Sequence, residues 1–236
     1  MKKRILSMCT ALCIMCSLTI PAVAAESSPL SESQIQAEVN AIVEDRVNAV
    51  ADQFKGLPDS YLRVYKQIAS AQAEAYVLEK HGLSSIDSSN LTPKSYSFIF
   101  NNGGVVHYRV TDELSGSTFA VAVACLDRQR TLDFILNAGS SFSMADILLD
   151  IFGYLPIAGN VFSLLASALS YANASTLSKI NAAGGYAQIT NIAIMVGNEP
   201  SSMATSTVEG WTSHPYYAPP SHATQVSSEF FPAYNG

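Results

Sequence analysis

The sequence predicts an α+β fold, in which a helical hairpin precedes an antiparallel sheet covered by central apolar helices. Three observations predict it. Apolar residues recur at three- and four-residue spacing between 32 and 81, the recurrence switches to every second residue between 95 and 126, and residues 151–172 carry no charged side chain. The first pattern belongs to amphipathic helices, the second to half-buried strands, and the third to a segment that avoids water.

Residues 1–24 read as a secretory signal peptide. A basic start (Lys2, Lys3, Arg4) leads into an apolar run from Ile5 to Ile20, then Pro21 and the small residues Ala22 and Ala24, so cleavage is expected near Ala24 or Ala25. Cys9, Cys13 and Cys16 leave with this segment, and the exported chain keeps Cys125 with no partner for an internal disulfide. A mature chain of about 210 residues can bury a core without such staples. Gram-positive bacterial export and release into the medium are the expected route and destination.

Residues 25–82 form the hairpin unit. Ile35, Val39, Ile42, Val43, Val47, Val50 and Phe54 share one side of a first helix, with Glu38, Glu44, Asp45 and Asp52 opposite. Gly56 and Pro58 end it; Asp59 or Ser60 caps a second helix whose stripe is Leu62, Tyr65, Ile68, Ala69, Tyr76 and Val77, closed by His81 and Gly82.

Residues 94–213 form the α+β domain. Strands are predicted over 95–101, 105–112 and 118–126, joined by "NGG" and "ELSG". A three-residue loop at Asn102-Gly103-Gly104 would set Phe98 against Tyr108 and Phe100 against Val106. Tyr96, Phe98, Phe100, Val106, Tyr108, Val110, Phe119, Val121, Val123 and Cys125 then share one face, which must be buried for the register to be specified. The reverse face holds His107, Arg109 and Thr111 beside Ala120, Ala122 and Ala124, suited to a shallow groove or, preferentially, to close helix packing. "TLDFIL" (131–136) reads as a further short strand. The segment around 174–185 is a helix stopped by Gly-Gly, 186–196 a strand, and "TSTVEGWTS" an edge strand after a Ser/Thr-rich loop. Residues 214–236 are rich in Pro, Tyr and Ser and read as an extended tail.

Charge narrows the function classes. Loss of the signal leaves 10 basic against 19 acidic residues, a net charge near −9, and beyond Arg130 the sole cation is Lys179. Phosphate neutralisation needs clustered Lys and Arg, so nucleic acid is not an expected partner. The four histidines (His81, His107, His214, His222) are scattered and no metal motif is present, so no metal or other cofactor is expected. No nucleophile elbow, phosphate loop or dinucleotide fingerprint occurs. The catalytic candidates are His107, Asp112 and Cys125: a Cys125/His107 pair could form a nucleophile, but the preferred register points them to opposite faces. Asp112 begins a turn, where such residues belong in any case. Trp211, Tyr216 and Tyr217, set among prolines, could stack on a sugar or dock a partner.

Within the apolar region, residues 144–173, Pro156 divides a helix at 144–152 from one at 157–173. The second is about 25 Å long at 1.5 Å per residue, short of a hydrocarbon core of about 30 Å. Gly159, Ser163 and Ser167 make a ladder of small residues, and Ile157, Phe162, Leu165 and Leu169 are its apolar neighbours. Short apolar helix, Pro/Gly turn ("GYLPIAGN") and second apolar helix resemble, over about 30 residues, the hydrophobic hairpins of secreted pore-forming bacteriocins and toxins. That resemblance implies conditional membrane insertion; burial in the fold is the primary reading, and contact with another chain the third. As a whole the sequence reads as a secreted protein acting on a membrane or binding a cell-surface partner, with a hydrolase of unknown substrate as the alternative.

Overall fold

The computed structural model describes residues 31–83, 98–137 and 174–233. From Ser33 onward they belong to one compact unit. The apolar spacing at the N-terminal end produces α1 (Glu32–Val50), a 3-10 turn (Ala51–Phe54) and α2 (Asp59–Lys80), the predicted hairpin. α2 starts at Asp59 directly after Pro58, and the Tyr61 N–H bonds the Pro58 carbonyl rather than a side-chain cap. Its buried stripe is Tyr61, Val64, Tyr65, Ile68, Ala69, Gln72, Ala73 and Val77, so Leu62 and Tyr76 flank the stripe instead of belonging to it. The predicted stop holds. Gly82 takes φ +67°, open to glycine without strain, and the Leu83 N–H closes on the Leu78 carbonyl at 2.8 Å.

Five strands make the main sheet: β2 (Gly103–Thr111), β3 (Thr118–Leu126), β4 (Ala187–Val196), β5 (Glu199–Gly210) and β7 (Thr224–Phe230), in the order β5-β4-β3-β2-β7, all antiparallel. Two-residue strands β1 (Phe98–Ile99) and β6 (Tyr216–Tyr217) pair with each other. Two more helices, α3 (Arg128–Asn137) and α4 (Ala174–Ala182), complete the described elements.

Four expectations change. Residues 98–99 do not pair with β2: Phe98 lies opposite Tyr217 and Ile99 opposite Tyr216, because β7 occupies the β2 edge that the Asn102-Gly103-Gly104 hairpin would need. Phe100 still reaches the predicted face by folding over Gly104, where an added Cβ would stand 2.5 Å from its ring. Residues 131–136 are helical, not a strand. Asp127 caps α3 through its carboxylate to the Arg130 N–H at 2.8 Å, and the helix buries Phe134. Residues 199–203, expected as loop, lengthen the edge strand β5. Residues 214–233 do not form the extended tail expected over 214–236: β6 and β7 lie within them, and β7 completes the sheet along β2 from Gly104 to Arg109.

The predicted aromatic face forms the main core. Phe100, Val106, Tyr108, Val110, Phe119, Val121, Val123 and Cys125 pack with Val50, Phe54, Tyr61, Val64, Tyr65 and Ile68 of the hairpin, together with Trp211 and Tyr217. The cover of this face is therefore the N-terminal hairpin. Residues 144–173, expected in that role, lie outside the described residues, as does Tyr96.

Candidate functional site

Alternation along β2 sends Val106, Tyr108 and Val110 into the core and Val105, His107 and Arg109 to the reverse face. Antiparallel register then fixes the neighbours of each. Across the five strands His107 shares a row with Ser227, Ala122, Asn191 and Ser206, and Arg109 shares the next with Ala120, Ala193 and Ala204. The row on the other side of His107, through Val105, Ala124, Ile189 and Val208, is apolar apart from Glu229 on β7 and packs with Phe134 of α3 and Ile180 of α4. The reverse face thus divides: helices cover one end, and a groove of about 330 Å³ occupies the other. Such a volume falls within the range of about 300–1,000 Å³ typical of small-ligand sites.

Alanines form the floor, with Ala122 and Ala193 buried, and polar side chains form the walls. The small floor lets the Arg109 side chain lie across the sheet to the β4–β5 turn, where its Nη2 donates to the Asn198 carbonyl at 3.3 Å. Asn191 donates through Nδ2 to Ser206 Oγ at 3.0 Å. On the opposite wall, β7 bulges between the partners of His107 and Arg109, and Gln225 in the bulge has φ +53°. A left-handed glutamine costs about 1–3 kcal/mol, and it lines the groove. Burial lowers the pKa of His107, so its imidazole is neutral at pH 7, with one nitrogen a donor and the other an acceptor. Glu199 and Glu229 complete the charged lining.

The other catalytic candidates are elsewhere. Cys125 faces the hairpin side of the sheet, fully buried, its thiol pushed up by burial, and does not meet His107. Asp112 sits in the turn after β2, where Arg63 grips it at 2.9 and 2.7 Å and the Ser115 backbone N–H and hydroxyl also donate. Those bonds, Arg63 foremost, hold its carboxyl well below the usual range, so it is a fixed anion of the turn rather than a proton carrier. A hydrolase built on His107 with Asp112 or Cys125 has no shared site here.

Trp211 and Tyr217 correct the expectation of an exposed aromatic cluster. Both are buried in the main core, Trp211 donating to the Tyr216 carbonyl at 3.1 Å and Tyr217 bonding the Tyr108 hydroxyl at 2.8 Å, while Tyr216 is half-buried. His214 stacks on Tyr186 at 3.7 Å between ring centroids, and His81 bonds Glu38. Among the described residues no three His, Cys, Asp or Glu side chains are grouped to hold a metal. Ile157, Gly159, Phe162, Ser163, Leu165, Ser167 and Leu169 lie outside the described residues. Among the described residues no helix is long and apolar enough to cross a membrane.

One polar cluster went unseen in the sequence. Glu209, 5% exposed, accepts from Arg46 Nε and Nη2 at 3.0 and 2.8 Å, from the Tyr65 hydroxyl at 2.9 Å and from Gln188 Nε2 at 3.2 Å. It fastens both hairpin helices to the sheet. Burial and the Glu209 charge push the Tyr65 hydroxyl up, so it stays a donor. A signal was present: Arg46 falls between Val43 and Val50 at the spacing of the apolar stripe, a position that demands a buried partner.

No family model, curated protein or solved structure matches this chain.

Proposed function

We propose that the chain is an exported bacterial binding protein, without catalytic function, that holds a polar ligand in the groove around His107 and Arg109. One observation carries the reading: a five-strand row of polar and small side chains opens into a ligand-sized groove whose guanidinium meets no carboxylate among the described residues. A sheet face kept merely for solubility would be convex and lined by long charged side chains; this one has an alanine floor and a strained wall residue. Export, as the signal peptide implies, would present the groove to extracellular molecules.

The test is a two-dimensional amide NMR titration with a library of small polar fragments, reading Ala122, Asn191 and Ala193. The expected result is a saturable shift of those amides by some fragments, abolished in His107→Phe, which keeps a ring of similar size but removes its donor and acceptor. Silence of these amides across the library, with the spectrum otherwise folded, refutes the reading.

A further inference from the structure

The charges around the groove narrow the ligand. Arg109 carries five donors, of which one reaches a backbone carbonyl, and it pairs with no carboxylate among the described residues. Glu229 lines the same groove and meets no cation among the described residues. Their separation follows from the register. Glu229 on β7 lies opposite Val105, and Arg109 stands four residues further along the same face of β2, about 13 Å along the strand at 3.3 Å per residue. The Arg109 side chain leans away from β7 to the β4–β5 turn, so the two charges stand more than about 13 Å apart. Between them stand His107 and Ser227, directly opposite each other.

A groove with an anion at one end, a cation more than about 13 Å away and neutral donors and acceptors between them suits an elongated zwitterion. We propose that the ligand is a short extended peptide of at least about four residues with free termini, its ammonium at Glu229 and its carboxylate at Arg109. The neutral imidazole of His107 offers one donor and one acceptor to the peptide backbone, and the alanine floor admits the main chain closely. Glu199 adds a second carboxylate at the Arg109 wall, beside the turn carbonyl that Arg109 already holds. A basic side chain near the peptide's C-terminus is therefore favoured there and an acidic one disfavoured. This assignment rests on the binding reading above and adds the chemical class of its ligand.

The experiment titrates the purified chain with tetraalanine and with its N-acetylated and C-amidated forms, again reading the Ala122, Asn191 and Ala193 amides. The expected result is saturable binding of the free peptide and at least tenfold weaker binding of each blocked form. Arg109→Gln then removes the penalty for amidation and leaves that for acetylation; Glu229→Gln does the reverse. Blocked peptides that bind the unmodified chain as well as the free one overturn the assignment, and that arm depends on no variant folding. Response to other polar fragments but to no peptide overturns the peptide assignment and leaves groove binding standing. Silence to both removes the two together.

Discussion

Replacing Glu209 with alanine removes the acceptor on which four donors from α1, α2 and β4 converge. The Arg46 guanidinium, 13% exposed, would lose both bonds to the carboxylate and keep the Gln72 Oε1 contact at 2.8 Å, and the Tyr65 hydroxyl and Gln188 amide would each lose a bond. Stranding one member of a buried ion pair costs about 3–5 kcal/mol, a large share of a total stability of about 5–15 kcal/mol. With a urea m-value of about 2 kcal/mol/M, the unfolding midpoint of Glu209→Ala should fall by about 1.5–2.5 M. The double replacement Arg46→Met with Glu209→Leu removes both charges at similar volume and should recover part of that loss, because well-packed apolar pairs often match a buried ion pair, while the Tyr65 hydroxyl and Gln72 Oε1 are left without their partners. Equilibrium urea denaturation followed by tryptophan fluorescence is a suitable assay, since Trp211 lies in the same core cluster as Tyr65. A loss below about 1 kcal/mol in the single variant would refute the reasoning, since it would mean that the pair is hydrated and the hairpin is not docked through it.

Two further outcomes follow from the same structure. Asp112 has a folded-state pKa below its ordinary 3.8, so its contribution is fully present above that value and is lost as pH falls through the depressed one. Asp112→Asn should accordingly melt lower than the parent at pH 7, with the gap narrowing below about pH 4, and scanning calorimetry across pH 2–7 checks both the sign and the window. Gly210→Ala would place a Cβ 2.5 Å from the Lys179 carbonyl oxygen, a backbone atom of α4 that cannot turn aside, and should cost about 1–3 kcal/mol in thermal unfolding.

The parts legible in the sequence are those set by local periodicity. β3 spans the predicted residues 118–126, the hairpin helices follow their apolar spacing, and Gly82 ends α2 as its position suggested. Partner choice was not legible. A period of two says which side chains share a face but not which strand lies alongside, so residues 98–99 were matched with β2 when β7, over a hundred residues later, takes that edge. The pairing of β7 also overrides a composition that by itself suggests no structure. In α3 the short apolar run "TLDFIL" looked extended, and the decisive signal was Asp127 four residues upstream of Thr131, a helix cap. The groove was half legible: His107 and Arg109 among alanines came from β2 and β3 alone, whereas Asn191, Ser227 and Glu229 join them through pairings that only the topology supplies.

The strict alternation of β2, β3 and β4 also bears on how such a chain can change. Positions 107, 120, 122, 191 and 193 face the groove, while their immediate neighbours 108, 121, 123, 190 and 192 face the sealed side. Substitutions on the two sides touch different partners across the thickness of the sheet, and effects at sites without shared partners are close to additive. Ligand preference and folding stability are therefore written on alternate letters of the same strands. The groove can be re-lettered for a new ligand with little cost to the core, so laboratory selection at positions 107, 109, 120 and 122 should explore new binding in variants that remain folded.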